Sequence, residues 1–216
     1  MHLCTSSAAG TPGSSTTSTS TAITSHVLCT SKGKDVDKML SMFRRKLGGM
    51  PIKLVGVDVE YTHYEKPQQA AVLQLCVEKE CLVYHISAAK DRPIELDKFL
   101  MNDEYTFVGF AIEGDKSKLK VSGLEINFDN YIDIQVEWRD PYNKKKFDSL
   151  ADVAGRMIDI HYRDMKKKII KYAAINAFAT YESWRIIYDV IMGLDGAKRD
   201  KEQKNKKNKA VIQYNN

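Results

Sequence analysis

The sequence has 216 residues, of which 43% are hydrophobic and 28% are charged, so one folded domain with an apolar core is expected. It contains no run of 18 apolar residues, which excludes a membrane-spanning helix of ordinary length. The first 20 residues lack the basic and continuous apolar regions of a secretory signal. The cysteines lack metal-ligand spacing, and we interpret all four as reduced thiols of an intracellular protein: Cys4, Cys29, Cys76 and Cys81.

The two ends of the chain differ in composition from the middle. Residues 5–25 include 14 Ser or Thr and few apolar groups to offset the entropy of ordering, so a disordered leader is predicted over residues 1–34. The net charge of +5 is carried by residues 197–209, which hold seven basic and two acidic residues. Residues 196–216 are therefore predicted to form a basic tail, either simply solvated or able to attract phosphates or direct nuclear import. Residues 35–195 are predicted to form the domain.

The hydrophobic pattern of the middle predicts alternating helices and strands. A helix comes first, because apolar residues recur at helical spacing from Val36 to Leu47 before a pair of glycines. Three apolar runs with short links are then typical of strands. In chain order the predicted elements are a helix from residue 35, strands at 53–62, 70–79 and 81–87, a helix at 93–101, a strand at 105–112, a helix at 115–124, a strand at 130–138, and helices at 147–158 and 164–193.

The order of these elements predicts an α/β fold. Three consecutive strands with tight links favour an antiparallel meander, and the two later strands, which alternate with helices, favour parallel additions to it. The expected architecture is a mixed five-stranded sheet flanked by helices on both faces.

Carboxylates stand at the ends of two predicted strands. Asp58 and Glu60 are two residues apart, so they project from the same face of the first strand, within an otherwise apolar run. Two like charges there repel each other unless a cation lies between them, and carboxylate oxygens suit Mg²⁺ or Mn²⁺. A strand end that has already reached water explains the pair equally well. Asp115 follows a later strand, where it either converges on the same ion or caps the next helix.

Three segments together resemble a known set of motifs. The segments "VGVDVEYT", "FVGFAIEGDKSKL" and "YAAINAFATYESW" resemble the three motifs of the DnaQ-like, ribonuclease H-type 3′–5′ exonucleases. The subgroup they resemble most is the DEDDy subgroup, which has a tyrosine in the third motif, and within it the plant proteins similar to the Werner syndrome exonuclease domain. The resemblance runs from about residue 35 to residue 193. It implies a ribonuclease H-like fold and hydrolysis that releases nucleotides one at a time from 3′ ends.

The resemblance also implies roles for individual residues. The family's metal-binding acids match Asp58, Glu60 and Asp115, with two Mg²⁺ or Mn²⁺ ions flanking the scissile phosphate. Tyr172 matches the tyrosine whose hydroxyl positions the nucleophile. Asn176 stands where the family has its fourth acid. An amide oxygen can coordinate a metal but brings no charge, so we expect weaker occupancy of one ion and reduced activity.

Residues beside the motifs are candidates for substrate binding. His63 and Tyr64 follow the first motif, where aromatic rings are suited to stacking on a base, although surface packing also explains them. Lys116 and Lys118 follow Asp115 and are candidates for phosphate contacts or for an ordinary solvated face.

The residues leave more than one function open. The first is a metal-dependent exonuclease, active or weakened, on single-stranded RNA or DNA. The second is a catalytically inactive relative that binds nucleic acid or a partner protein, as a homo-oligomer or in mixed assembly with an active homologue. A ribonuclease H-like scaffold without a nucleic-acid role is the third. The retained acids favour the first function and Asn176 favours the second. No membrane association is expected, and a cytoplasmic or nuclear location is compatible with the sequence.

Overall fold

The fold was analysed in a computed structural model, which describes residues 26–63, 66–140, 143–158 and 174–193. Residues 1–25 of the predicted leader, Tyr64, Tyr172 and the basic tail lie outside the described residues. The strands are β1 His26–Thr30, β2 Leu54–Tyr61, β3 Ala70–Val77, β4 Glu80–His85, β5 Thr106–Gly109 and β6 Tyr131–Asp133. The helices are α1 Gly33–Gly48, α2 Ile94–Leu100, α3 Lys116–Val121, α4 Ile134–Glu137, α5 Leu150–Met157 and the helical residues 174–193, here called α6.

The six strands form one mixed sheet in the order β1-β4-β3-β2-β5-β6. Strands β2, β3 and β4 pair antiparallel, which confirms the predicted meander. Strand β5 joins β2 in parallel and β6 joins β5 in parallel, which confirms the predicted additions. The α/β class expected from the sequence is therefore correct.

The sheet has six strands rather than the predicted five. The additional strand, β1, lies within the segment 1–34 that was predicted to be disordered, and it pairs in parallel with β4. The Ser/Thr-rich run ends at Ser25, and the next residues, "HVLCT", are mostly apolar. Leu28 packs into one core and Val27 and Cys29 into the other, so β1 is ordered by tertiary contacts.

The predicted strand over 130–138 is only three residues long. The carboxylate of Asp133 accepts a hydrogen bond from the backbone N–H of Gln135 and caps α4, which replaces the second half of the predicted strand. An aspartate at this point is a favourable N-cap, and this local interaction overrides the strand pattern of "IQVEW".

Two hydrophobic cores lie on opposite faces of the sheet, which confirms that helices cover both faces. The first core packs α1, α2 and α3 against residues such as Val55, Val57 and Phe107. The second packs α4, α5 and α6 against Leu54, Val83 and others. The cysteines of the described segments form no disulfide, and none of the described helices is long and apolar enough to cross a membrane.

Gly56 allows α6 to lie directly on the sheet. A Cβ at this position would overlap the carbonyl oxygen of Ala177 and lie 2.8 Å from Cβ of Tyr181. Ala177 and Tyr181 are buried in this contact. The close contact brings the start of α6, with Asn176, onto the same face as the residues that follow Gly56.

Candidate metal centre

Asp58 stands at the point where β2 emerges from beneath α6. Alternation along β2 places Leu54, Gly56 and Asp58 on the face that α6 covers. Glu60 follows in the same pairing register, opposite Val72, before a bulge between Glu60 and Tyr61. Asp58 is half-buried and Glu60 is exposed. The two acids therefore share a face, with Asp58 deeper in the protein.

Two amide side chains donate to the same oxygen of Asp58. Nε2 of Gln74 lies 2.8 Å from Oδ2 of Asp58, and Nδ2 of Asn176 lies 3.2 Å from it. Asn176 thus meets Asp58 as a donor, a role that an ionised aspartate at position 176 cannot take. The third-motif residue is therefore brought to the first motif across 118 positions of sequence.

Gln74 is a site residue that the sequence analysis missed. It is completely buried on β3, directly opposite Asp58 in the antiparallel register, and its Oε1 has no partner among the described protein atoms. The available signal was a single polar residue in the apolar run "AAVLQLCV". Its significance depends on the β2–β3 register, which places it beside Asp58.

Burial and the neighbouring acids raise the proton affinity of Asp58. Burial, followed by the charge of Glu60 and then that of Asp115, raises the pKa of Asp58 from its usual 3.8 to about 6, although the hydrogen bond from Asn176 acts in the opposite direction. The sequence-predicted acids of the first and second motifs therefore lie within electrostatic reach of each other. Negative charge accumulates at this end of β2, as a cation site requires.

Asp115 is already paired with a cation of the protein. It ends the 3₁₀ turn Ile112–Asp115 that follows β5, and its Oδ1 lies 2.8 Å from Nζ of Lys118 one turn later in α3. That ammonium group also lies 4.6 Å from the centre of the Tyr61 ring. Lys118, predicted to bind phosphate, is therefore a counter-ion of Asp115 in this structure.

The other predicted substrate residues are less directly connected to the acids. Lys116 forms an ion pair with Glu113 at 2.6 Å and lies 5.0 Å from the centre of the Phe128 ring. His63 is exposed, two residues beyond the end of β2. Tyr64 lies outside the described residues.

Two buried phenols flank the acids and were also missed. The hydroxyl oxygens of Tyr61 and Tyr131 are buried and have no hydrogen-bond partner within the described segments. Burial is the main cause that raises the pKa of each tyrosine, and the charges of Asp58 and Asp115 add to it. Gly109 makes room for the Tyr131 hydroxyl, which would overlap a Cβ at that position. The burial of these hydroxyls beside the acids depends on side-chain packing, which the sequence pattern does not reveal.

The donor set suits a hard divalent cation, although the side chains do not already form a cage. No cluster of three His, Cys, Asp or Glu side chains in the described segments has the arrangement of a metal site. Asp58, Glu60 and Asp115 nevertheless supply carboxylate oxygens, and the raised pKa of Asp58 reflects a repulsion that a cation would relieve. The chemistry of these residues therefore fits Mg²⁺ or Mn²⁺.

Comparisons with known proteins agree with the motifs. No protein-family profile matches the chain. Over 85 residues it is 36% identical to the bifunctional 3′-5′ exonuclease/ATP-dependent helicase WRN of Mus musculus. The fold matches the Nibbler EXO domain of Aedes aegypti with a TM-score of 0.60 and 16% identity, covering 78% of this chain and 90% of that one. Sequence similarity over this segment and the shared fold thus agree with the resemblance of the motifs to the DnaQ-like 3′–5′ exonucleases.

A second solved structure shares this fold. The catalytic core of RRP6 from Trypanosoma brucei aligns with a TM-score of 0.56 and 13% identity, over 77% of this chain and 47% of that one. The match to the mouse protein covers 38% of this chain and only 6% of that protein. The comparisons therefore show the fold and a sequence similarity to one exonuclease over part of the chain, whereas the special similarity to plant members stays a prediction.

Proposed function

We propose that this DnaQ-like domain is a metal-dependent 3′–5′ exonuclease on single-stranded RNA or DNA, weakened by Asn176. The observation that carries the proposal is the convergence on Asp58. A residue of the third motif lies 3.2 Å from its carboxylate, and acids of the first and second motifs raise its pKa. Three motifs that are far apart in the sequence thus act on one group, as an active site requires.

The proposed ligands are Asp58, Glu60 and Asp115, with the amide oxygen of Asn176 as a weak fourth. When bound, Mg²⁺ or Mn²⁺ supplies Lewis-acid activation of water and stabilisation of the leaving oxygen. The chain's own contribution is to hold the carboxylates together on β2 and beside α3. By resemblance, the hydroxyl of Tyr172 orients the attacking water.

The charge of the site favours one tightly bound ion over the family's two. Asp58, Glu60 and Asp115 bring three negative charges when ionised, and Lys118 returns one positive charge at 2.8 Å from Asp115. Asn176 adds none. The remaining two negative charges balance one divalent cation, and a second cation would be repelled by the first without compensation. Weak activity at ordinary Mg²⁺ concentrations follows from this balance.

Single-stranded nucleic acid is the proposed partner. Lys116 and Lys118 lie next to Asp115, where they are near enough to the acids to meet the backbone of a bound strand, and each would exchange its present carboxylate for a phosphate. His63 and Tyr64 are proposed to contact the terminal base. Binding that depends on such exchanges weakens as salt concentration rises.

A second candidate function is an inactive nucleic-acid-binding or protein-interaction module. The specific observation in its favour is that Asn176 donates a hydrogen bond to Asp58, so each of the two side chains has a hydrogen-bond partner without a metal. Such a protein would act by assembly, as a homo-oligomer or with an active homologue, in the cytoplasm or the nucleus.

The substitution Asn176→Asp separates the two candidates. It adds the missing charge, so we expect the Mn²⁺ affinity and the rate of digestion to rise at least about tenfold. The assay follows 5′-labelled single-stranded RNA and DNA with purified full-length protein in Mg²⁺ or Mn²⁺, and scores the ladder of shortened products. Asn143→Asp is the matched control, because Asn143 is exposed and its Oδ1 accepts from the Lys145 N–H, a contact that an aspartate retains.

Each outcome selects one function. Digestion by the unmodified chain that disappears in Asp58→Ala establishes the weakened exonuclease. Digestion that appears only in Asn176→Asp identifies an inactivated exonuclease and favours the binding module. Absence of digestion in every variant, with Mn²⁺ binding also absent by calorimetry, would rule out the proposed metal chemistry.

A further inference from the structure

The turn between β5 and α3 carries Asp115 and has an unusual backbone. β5 ends at Gly109, and Ala111 then adopts a left-handed conformation with φ of 58° and ψ of 37°. The 3₁₀ turn Ile112–Asp115 begins immediately afterwards and places Asp115 at its last position. The direction of the Asp115 side chain therefore depends on the backbone angles at Ala111.

Alanine does not favour this conformation by itself. In the left-handed region the Cβ atom lies too close to the following carbonyl oxygen, and such residues persist where surrounding contacts enforce them. One contact is the side chain of Ile112, which is buried in the core formed with α1, α2 and α3. The other is the carboxylate of Asp133.

Asp133 binds the turn through both of its oxygens. Oδ1 accepts from the backbone N–H of Ala111 at 2.9 Å, and Oδ2 accepts from that of Ile112 at 3.0 Å. Oδ1 also accepts from the N–H of Gln135 at 3.0 Å. The parallel pairing of β5 with β6 sets Asp133 beside Gly109, at the start of the turn. One carboxylate thus fixes the turn that carries Asp115 and caps α4.

We propose that Asp133 is a positioning residue of the metal centre, which holds the left-handed turn at Ala111 and thereby directs Asp115 towards Asp58. This inference rests on the proposed function, because it takes Asp115 as a metal ligand. Three backbone N–H groups occupy the oxygens of Asp133, so it acts through the backbone and not as a ligand itself. Its substitution therefore alters metal affinity without removing a ligand.

The carboxylate is required because both oxygens act as acceptors. Asparagine has nearly the same shape but only one acceptor oxygen, and its NH₂ group would face an N–H donor on the other side. Asp133→Asn therefore breaks the hydrogen bonds on one side of the carboxylate, either to Ala111 or to Ile112. Ala111→Gly has the opposite effect, since glycine adopts the left-handed conformation without steric conflict. The two substitutions together test whether Asp133 acts through Ala111.

The experiment is calorimetric titration of Mn²⁺ into the full-length protein, below the melting temperature of each variant. We expect Asp133→Asn to raise the Mn²⁺ dissociation constant about tenfold, as is typical for residues that orient a ligand. The double variant Ala111→Gly/Asp133→Asn should recover most of this loss. Asp152→Asn is the matched control, because Asp152 interacts with Ser149 at the start of α5 and should leave the constant unchanged.

A second measurement requires no substitution at Asp133. If metal binding needs the turn, Mn²⁺ should slow hydrogen exchange at the amides of Ala111 and Ile112, which donate to Asp133. Unchanged exchange at both amides would contradict the inference even if Asp133→Asn does not fold.

The outcomes distinguish this inference from the function on which it rests. If Asp133→Asn binds Mn²⁺ as tightly as the unmodified chain and only its melting temperature is lower, the positioning role is overturned and the proposed function stands. Failure of Ala111→Gly to restore binding overturns the mechanism through the turn. Absence of Mn²⁺ binding in the unmodified chain overturns both.

Discussion

At the scale of single residues, the site is organised around one oxygen atom. Oδ2 of Asp58 accepts from Gln74 and from Asn176, on a carboxylate that also experiences the charges of Glu60 and Asp115. The two amides offset only part of the cost of keeping this carboxylate ionised. Asp58 is therefore strained electrostatically without a metal, and its pKa of about 6 expresses that strain.

The raised pKa of Asp58 predicts how the stability of the metal-free protein changes with pH. The folded state binds the proton of Asp58 more tightly than the unfolded state does, so protonation of Asp58 stabilises the fold. This contribution to the free energy of unfolding is complete below about pH 4 and is lost as the pH rises through 6. A shift of this size corresponds to up to about 3 kcal/mol. Unfolding by urea in the presence of EDTA, measured from pH 4 to pH 8, should show this decline.

Asp58→Asn provides the variant for this measurement. Its amide oxygen still accepts from both Gln74 and Asn176, but it carries no charge. We expect the variant to be more stable than the unmodified protein at pH 8 and to differ little from it at pH 4. A stability difference that does not change between these pH values would contradict the electrostatic account.

At the scale of elements, the contact between β2 and α6 decides where Asn176 lies. The helix lies on the strand only because Gly56 has no side chain, so the carbonyl of Ala177 and the Cβ of Tyr181 occupy the space above it. Backbone atoms of a packed helix cannot move as easily as the end of a flexible side chain. The position of the third motif relative to the first therefore depends on one glycine.

Gly56→Ala should destabilise the protein and separate the motifs. Overpacking against backbone typically costs about 1–3 kcal/mol, and relief requires α6 to move away from β2, which weakens the contact between Asn176 and Asp58. The free energy of unfolding in urea measures the loss. Gly48→Ala is the control, because an added Cβ there meets no atom within 4 Å, and equal losses in the two variants would refute the argument.

At the scale of the whole molecule, β1 closes one edge of the sheet and contributes to both cores. It pairs with β4 through five residues, from His26 to Thr30, and its side chains alternate between the two cores. Without it, β4 would present an unpaired edge to solvent. Removal of β1 should therefore affect the stability and the solubility of the whole domain.

Two truncations test the contribution of β1. A variant beginning at residue 26 retains the strand and should unfold like the full chain. A variant beginning at residue 32 loses it, and because β1 buries Leu28, Val27 and Cys29 only partly, we expect a loss of roughly 2 kcal/mol and a greater tendency to aggregate. Thermal unfolding and light scattering measure these effects. Equal stability of the two variants would show that β1 is dispensable.

Much of the fold could be predicted from local patterns. Apolar periodicity and link length predicted the meander, the parallel additions and the helices on both faces. These local patterns indicate which residues of each element are buried, and they are therefore visible in the sequence. Asp58, Glu60 and Asp115 were singled out as candidate ligands through the motif resemblance, because the residue pattern alone also allowed a water-exposed strand end and a helix cap. The strand 26–30 and the early end of β6 were not predicted, since one depends on an edge partner and the other on a local cap.

The sequence by itself therefore determined the class of fold and indicated which acids are candidates for metal binding, since both depend on residue type and short-range spacing. Only the tertiary structure decided that Gln74 and Asn176 share one oxygen of Asp58, that Lys118 neutralises Asp115, and that Asp133 holds the turn at Ala111. Contacts such as these join side chains whose distance is set by sheet register and helix packing. Those quantities arise from the whole core, so no local segment of the sequence contains them.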